Sequence, residues 1–156
     1  MNENRLILRT APTTPSDDRA SRLTEIAREA RAAFASDEVR HLRALYAVLN
    51  ADRHGCMIAG LTVCEPALIE RLLIAGVCDS AALALLGSGC GYMISRGAAG
   101  EHIATVLLSG QAEEQTGSGD SLALALVAAI ATALAASADG SAVLGQTGRQ
   151  TSLRLN

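Results

Sequence analysis

Residues 101–137 read EHIATVLLSG QAEEQTGSGD SLALALVAAI ATALAAS, and this stretch decides the fold of the chain. Its first part, residues 103–108, is apolar and contains β-branched side chains, which favours a strand. A polar segment with Gly117 and Gly119 follows. From Asp120 the chain becomes rich in alanine and leucine and carries no charge before Asp139. This order predicts a strand, a turn and a long buried helix.

The predicted helix covers residues 120–136. Alanine is the best helix former, Ser118 or Asp120 can cap the first turn, and Asp139-Gly140 predicts the end. A helix without charge is either covered by protein or inserted in a membrane. The run is shorter than the roughly 20 residues that span a bilayer and lacks flanking aromatic belts, so burial is favoured. One apolar face is the candidate subunit interface: Leu122, Leu126, Ile130 and Leu134.

The composition favours a homo-oligomer and gives no sign of a nucleic-acid-binding surface. Hydrophobic residues make up 49% of the 156 residues, but aromatic residues only 2%. Small aliphatic side chains each bury little area, so a monomer would have modest hydrophobic stabilisation. The net charge of -3 creates no field that recruits nucleic acid. More than half of the charged side chains lie in residues 1–54, which indicates that the core is built from the later part.

The sequence predicts a cytoplasmic protein. Its first residues lack the charged and apolar regions of a signal peptide. The four cysteines are therefore expected to be reduced thiols.

The chain in order predicts an arm or linker over 1–16, containing Pro12 and Pro15, and a single globular domain over 17–156. Helical periodicity predicts helices at 17–35, 37–52, 65–75 and 79–86. Strands are predicted at 4–9, 92–95, 103–108, 112–116 and 151–155, while 55–63 fits either a strand or a loop. The fold class is therefore α+β, in which N-terminal helices precede a small, mostly antiparallel sheet covered by helix 120–136. An all-α bundle is the alternative, because most well-marked elements are helices.

A zinc site is one candidate for chemistry. His54, Cys56 and Cys64 are ligand types that zinc prefers, and Cys78 and Cys90 lie in the same part of the chain. The spacing contains no Cys-x-x-Cys pair, however, and free cysteine is commonly a small buried side chain. Beyond this possible zinc, no cofactor is predicted. An enzyme or metalloprotein that uses these residues stays an alternative, although no Gly-x-Ser-x-Gly motif accompanies them.

An anion site at the start of the long helix is a second candidate. Ser118, Gly119 and Asp120 precede the helix, and a helix N-terminus attracts anions. The chain contains no lysine and no phosphate-binding loop motif, and the Asp120 carboxylate would repel a phosphate. These three residues are therefore candidates for binding a small ligand. The other interpretation is that the glycines only form a turn.

A DNA-binding unit is a third candidate. Residues 65–86 predict two helices with a tight joint, a spacing similar to that of helix-turn-helix units. A recognition helix needs Arg, Asn or Gln on its exposed face, but residues 79–86 contain none of these. A packed helix pair is the simpler interpretation.

The strand at 103–108, the link bearing Gly117-Ser-Gly-Asp-Ser, and the helix at 120–136 resemble two known units. One is the regulatory domain of isopropylmalate synthase, whose helix opening has a proline that this chain lacks. The other is a group of small phage sandwich domains. Since both layouts match, the resemblance implies a packing unit and transfers no functional residue.

The predicted function is a non-catalytic interaction or small-ligand-binding protein that acts as a homo-oligomer. A protein partner or a small molecule fits this prediction, whereas nucleic acid and membrane do not. A DNA-binding regulator and the metalloprotein described above are the alternatives.

Overall fold

The protein has an α+β fold, seen in a computed structural model that describes residues 15–51 and 60–147. Within these residues there are five α-helices and one three-stranded antiparallel sheet. The helices are α1 (Pro15–Ala32), α2 (Glu38–Ala51), α3 (Pro66–Ile74), α4 (Cys78–Leu83) and α5 (Leu122–Thr147). The strands are β1 (Gly91–Arg96), β2 (His102–Leu107) and β3 (Gln115–Gly119). The predicted fold class is confirmed, and the alternative of an all-α bundle is wrong.

The first four helices lie where their periodicity predicted them, with ends that differ by a few residues. A short 3-10 turn, Ala35–Asp37, joins α1 to α2. Helix α3 starts at Pro66, which suits a first helical position because proline has no N–H to leave unsatisfied. Glu65 precedes it as the N-cap without a side-chain hydrogen bond.

Some predictions fall on residues 1–14, 52–59 and 148–156, which lie outside the described part of the chain. They include the strands at 4–9 and 151–155 and most of the ambiguous segment 55–63. They also include the arm at 1–16, apart from Pro15 and Ser16, which begin α1. The single domain over 17–156 stays a prediction.

The sheet has the strand order β1-β2-β3, with both pairs antiparallel. Ala104 of β2 lies between Ile94 of β1 and Gly117 of β3. These three residues share one face of the sheet, because directly opposed residues in antiparallel strands point to the same side. We call it the helix face, since Gly117 lies against α5. Strand β3 begins later than the predicted strand 112–116 and includes both glycines.

The two glycines of β3 let α5 lie directly on the sheet. A Cβ at Gly117 would clash with the backbone nitrogen of Ala129 and lie 2.5 Å from the carbonyl oxygen of Ala125. A Cβ at Gly119 would lie 2.8 Å from the backbone nitrogen of Ala125. Glycine is therefore required here for a close approach of backbones rather than for a turn.

Helix α5 is the centre of the core. Every residue from Ala123 to Ala131 is fully buried, because α1 covers one side of the helix while β2 and β3 cover another. Arg31 of α1 ties these layers together, since its guanidinium donates to the Thr132 hydroxyl at 2.9 Å and to the Thr116 carbonyl at 3.2 Å.

Helix α5 also differs from prediction at its end. It continues past the expected stop at Asp139-Gly140 and ends at Thr147. A glycine inside a helix costs only about 1 kcal/mol relative to alanine, so Gly140 does not force an end. Across residues 15–51 and 60–147, no helix has both the length and the hydropathy needed to cross a membrane.

Candidate functional site

The predicted ligand-binding segment, Ser118 to Asp120, is occupied by packing within the chain. Ser118 lies in β3 opposite Ile103, and Gly119 lies against the first turn of α5. The carboxylate of Asp120 accepts a hydrogen bond from the backbone N–H of Ala35 at 2.9 Å. Asp120 therefore fixes the joint between α1 and α2 onto the start of α5. Ligand binding by these residues stays a prediction, and their contacts are those of a structural corner.

The N-terminus of α5 also has its own hydrogen-bond acceptors. The Asp79 carboxylate, which comes from α4, accepts the N–H of Ala123 at 3.0 Å. The Ser121 hydroxyl accepts the N–H of Leu124 at 3.3 Å. The caps are thus Asp79 and Ser121, instead of the expected Ser118 or Asp120. These two N–H groups, which a bound anion would contact, already donate hydrogen bonds within the chain, and anion binding at this helix start stays a prediction.

The candidate interface residues of α5 lie inside the subunit. Leu126 and Ile130 have no exposed surface, Leu134 is 3% exposed, and Leu122 is half-buried. Their side chains already contact the rest of the core, so the helical stripe was correctly read as apolar. Their role in a subunit interface stays a prediction. It would require these side chains to be exposed, whereas in the folded subunit they are mostly buried.

The predicted zinc ligands are described only in part. His54 and Cys56 lie outside the described residues, whereas Cys64 is half-buried with its Sγ 3.0 Å from the carbonyl oxygen of Ala84. Among residues 15–51 and 60–147, no three His, Cys, Asp or Glu side chains come together as a metal site would require. The zinc prediction stays untested at His54 and Cys56.

The thiols of Cys78 and Cys90 and the buried His41 lack the features of an activated nucleophile. Burial, assisted by the nearby Glu38, raises the pKa of the Cys78 thiol to about 11. Burial also raises the pKa of the Cys90 thiol. A reactive cysteine needs the opposite shift, because the thiolate is the nucleophile. His41 is 1% exposed, and burial lowers its pKa.

The helix pair at 65–86 has the predicted layout but a small exposed surface. Helix α4 is six residues long and buries Cys78, Ala81 and Ala82. Its exposed side chains are Asp79 and Ser80, and Asp79 is engaged by α5. An acidic residue and a serine do not form a surface that attracts phosphate or reads base edges. DNA binding is untested, and no contact of this unit favours it.

An apolar surface that the sequence did not single out lies at β1 and β2. Tyr92 is 54% exposed, Met93 61% and Ile94 39%, and Leu107 of β2 is 39% exposed. Tyr92 and Ile94 lie on the helix face, where α5 covers β2 and β3 but leaves β1 open. Met93 and Leu107 lie on the opposite face. The run Tyr92-Met-Ile was the available signal, but a short apolar strand does not reveal by its sequence whether it is central or at an edge.

This surface is the best candidate for a functional site in the described part of the chain. Large apolar side chains that stay exposed and adjacent mark interaction surfaces more often than isolated ones do. Other exposed apolar side chains are Phe34, which precedes the 3-10 turn, and Leu68, Ile74 and Val77, which belong to α3 and the joint between α3 and α4. Unlike the β1 residues, they do not lie on a strand that could pair with another strand. We define the open edge as the side of β1 that faces away from β2.

Comparisons of this chain with protein-family models, curated proteins and solved structures find no match. The resemblances noted from the sequence therefore rest on the layout of strand, link and helix alone.

Proposed function

We propose that this protein is a non-catalytic interaction protein that acts as a homo-oligomer. The observation that carries the proposal is the exposed apolar surface at β1. Three consecutive residues, Tyr92, Met93 and Ile94, are each more than one third exposed. Tyr92 and Ile94 lie on the helix face and Met93 on the opposite face, so β1 exposes apolar surface on both sides of the sheet. Contact of this surface with water is unfavourable, and burial between subunits is a common way to remove it.

The chemistry of the described residues supports the non-catalytic part of the proposal. The thiols of Cys78 and Cys90 have raised pKa values, so both are protonated near neutral pH. Neither resembles a nucleophile paired with a base. Cys64, Cys78 and Cys90 are also free rather than disulfide-bonded. Free thiols fit a reducing compartment, so a cytoplasmic location belongs to the same proposal.

The oligomer contact is assigned to β1 instead of the helical stripe considered from the sequence. Leu126 and Ile130 have no exposed surface left to contribute. The exposed surface of β1 can form a subunit contact without any unfolding of the subunit. The proposed contact therefore uses preformed strands.

Analytical ultracentrifugation over a concentration range tests the proposal. The chain has a mass of 16.0 kDa, so a dimer sediments as about twice that mass. We expect the weight-average mass to rise towards the dimer as concentration increases from about 1 μM to about 500 μM, the range of a modest interface. A constant monomer mass across this range would contradict the proposal.

A further inference from the structure

The hydrogen-bond pattern of the sheet identifies which backbone groups point outward at the open edge. The N–H of Gly97 donates to the carbonyl of Glu101 at 2.8 Å, which continues the register of β1 with β2. Hydrogen-bonded and non-hydrogen-bonded pairs alternate along antiparallel strands. Odd-numbered residues of β1 therefore bond to β2. The even-numbered residues, Tyr92, Ile94 and Arg96, direct their N–H and C=O groups away from β2.

Apart from the charged Arg96 at its end, the open edge also lacks the usual features that prevent strand pairing. Natural edge strands are protected by proline, lysine, bulges or a covering element. Residues 91–96 contain no proline or lysine, and β1 pairs with β2 in an unbroken register. Among residues 15–51 and 60–147, the sheet contains no strand beyond β1. Within these described ranges, the edge therefore offers both unpaired backbone groups and exposed apolar side chains.

A second copy of the same strand fits this edge. Two β1 strands related by a two-fold axis run antiparallel, and opposed residues must point to the same face. An axis at Ile94 satisfies this condition and pairs the outward-facing backbone groups. It places Ile94 opposite Ile94, Met93 opposite Ser95, and Tyr92 opposite Arg96.

The opposed side chains are compatible in this arrangement. Arg96 is the charged residue of β1, and the two-fold axis keeps the two arginines apart. The Arg96 Nε donates to the Gly100 carbonyl of its own subunit at 3.0 Å, and the two-fold arrangement brings the remaining part of each guanidinium across from the ring of Tyr92 in the other copy. A cation beside an aromatic ring is attracted to it, whereas like charges directly opposite destabilise a strand pair. The Ile94 pair then lies between two Tyr92–Arg96 pairs on the helix face.

We propose that two copies of this protein associate through antiparallel β1–β1 pairing about a two-fold axis at Ile94, forming one continuous six-stranded sheet. This inference rests on the proposed function, since it specifies how the homo-oligomer forms. Both α5 helices then lie on the same face of the joined sheet. The contact involves one short strand from each subunit, so the dimer is reversible and depends on concentration.

A charge-swap experiment at Ile94 tests the arrangement. In Ile94→Glu the two carboxylates oppose each other across the axis, and in Ile94→Arg two guanidinium groups do so. Each variant alone is expected to dimerise about 100-fold more weakly than the wild type, or not at all. An equimolar mixture should form a heterodimer, because the opposed charges then attract. Native mass spectrometry separates the heterodimer from either homodimer when one variant carries a ¹⁵N label.

Ile74→Glu provides the matched control, because Ile74 is an isoleucine that is 80% exposed on α3. It should dimerise like the wild type. Circular dichroism of each single variant checks that the fold is kept. Formation of the heterodimer in the mixture also shows that both variants are folded.

The outcomes separate the two proposals. A wild-type protein that stays monomeric overturns the homo-oligomer and the β1 pairing together. A wild-type dimer that Ile94→Glu leaves intact overturns only the β1 pairing. If both single variants are monomeric but their mixture forms no heterodimer, Ile94 does not oppose itself and the proposed register is wrong.

Discussion

The substitution Gly117→Ala tests how closely α5 packs on the sheet. The added methyl group would lie 2.5 Å from the Ala125 carbonyl oxygen and 2.8 Å from the Ala128 Cβ, and would clash with the Ala129 nitrogen. Two of these neighbours are backbone atoms inside a helix, so they cannot rotate away as a flexible side chain would. The helix must shift as a whole or the strand must bend.

The expected cost follows from two opposing effects. Replacing glycine by alanine reduces the entropy of the unfolded chain, which stabilises the protein by about 0.4–1 kcal/mol. Forcing an extra methyl group into a packed core costs about 1–3 kcal/mol and occasionally more. Because the contacts at Gly117 are with backbone, we expect the upper part of that range. The net free energy of unfolding should fall by about 2 kcal/mol.

Gly91→Ala is the matched control in the same sheet. Its Cβ would meet Leu107 at 3.7 Å, an ordinary contact. The entropy effect then remains without the clash, so stability should stay the same or rise by less than about 1 kcal/mol. Urea unfolding followed by circular dichroism at one fixed protein concentration measures both variants, since association would otherwise alter the midpoint. If Gly117→Ala is as stable as the wild type, or Gly91→Ala loses as much, the close-packing argument is refuted.

Three further perturbations follow from single contacts. Asp79→Ala removes the acceptor for the Ala123 N–H and should lower the free energy of unfolding by about 1 kcal/mol, whereas Ala at the exposed Glu113 should change it little in the same urea titration. The Cys78 pKa is raised from 9.0 to about 11, so the folded protein keeps a proton that the unfolded chain loses. Stability should therefore fall by about 2 kcal/mol between pH 9 and 11, and a Cys78→Ala variant that keeps the full slope would contradict this. Burial lowers the pKa of His41, and the neighbouring Arg40 lowers it further, so stability should fall as pH decreases through 6.5, the value for an unfolded histidine. Thermal unfolding of His41→Gln from pH 7.5 to 5.5 should show a smaller decline than the wild type.

The architecture could be predicted because the strongest sequence signals agreed with the tertiary environment. Residues 120–136 combine alanine propensity with an absence of charge, and the helix they form is buried on nearly all sides. The amphipathic helices at the N-terminus likewise show a periodicity that matches their buried faces. Such patterns predict the fold well because a helix that is buried on one side needs apolar residues at helical spacing.

Strand β3 was placed too early because its sequence has little strand propensity of its own. Gln115–Gly119 contains two glycines and a serine, which locally favour a turn. Pairing with β2 and close contact with α5 override that preference. The same contacts explain why Ser118, Gly119 and Asp120 resembled a ligand site, since glycines near a helix start fit both interpretations.

The candidate interaction surface could not be located from the sequence because it depends on strand order. A central position of β1 would bury Tyr92, Met93 and Ile94. The same residues are exposed when β1 lies at an edge of the sheet. The free backbone groups of Ile94 are also a property of register, which the sequence alone does not specify. Strand order and register are long-range properties that follow from how the completed sheet is assembled.

The enclosure of α5 also has a consequence for the order in which the protein can be made. The ribosome releases α1 first, yet the helix that covers it lies about a hundred positions further along, as the Arg31–Thr132 hydrogen bond indicates by its separation of 101 residues. Until α5 emerges, the apolar face of α1, with Leu23 and Ile26, lacks most of its packing partners, because α2 contacts α1 much less than α5 does. The core therefore cannot be completed before residues 122–135 have been synthesised, although most of its other helices are made earlier.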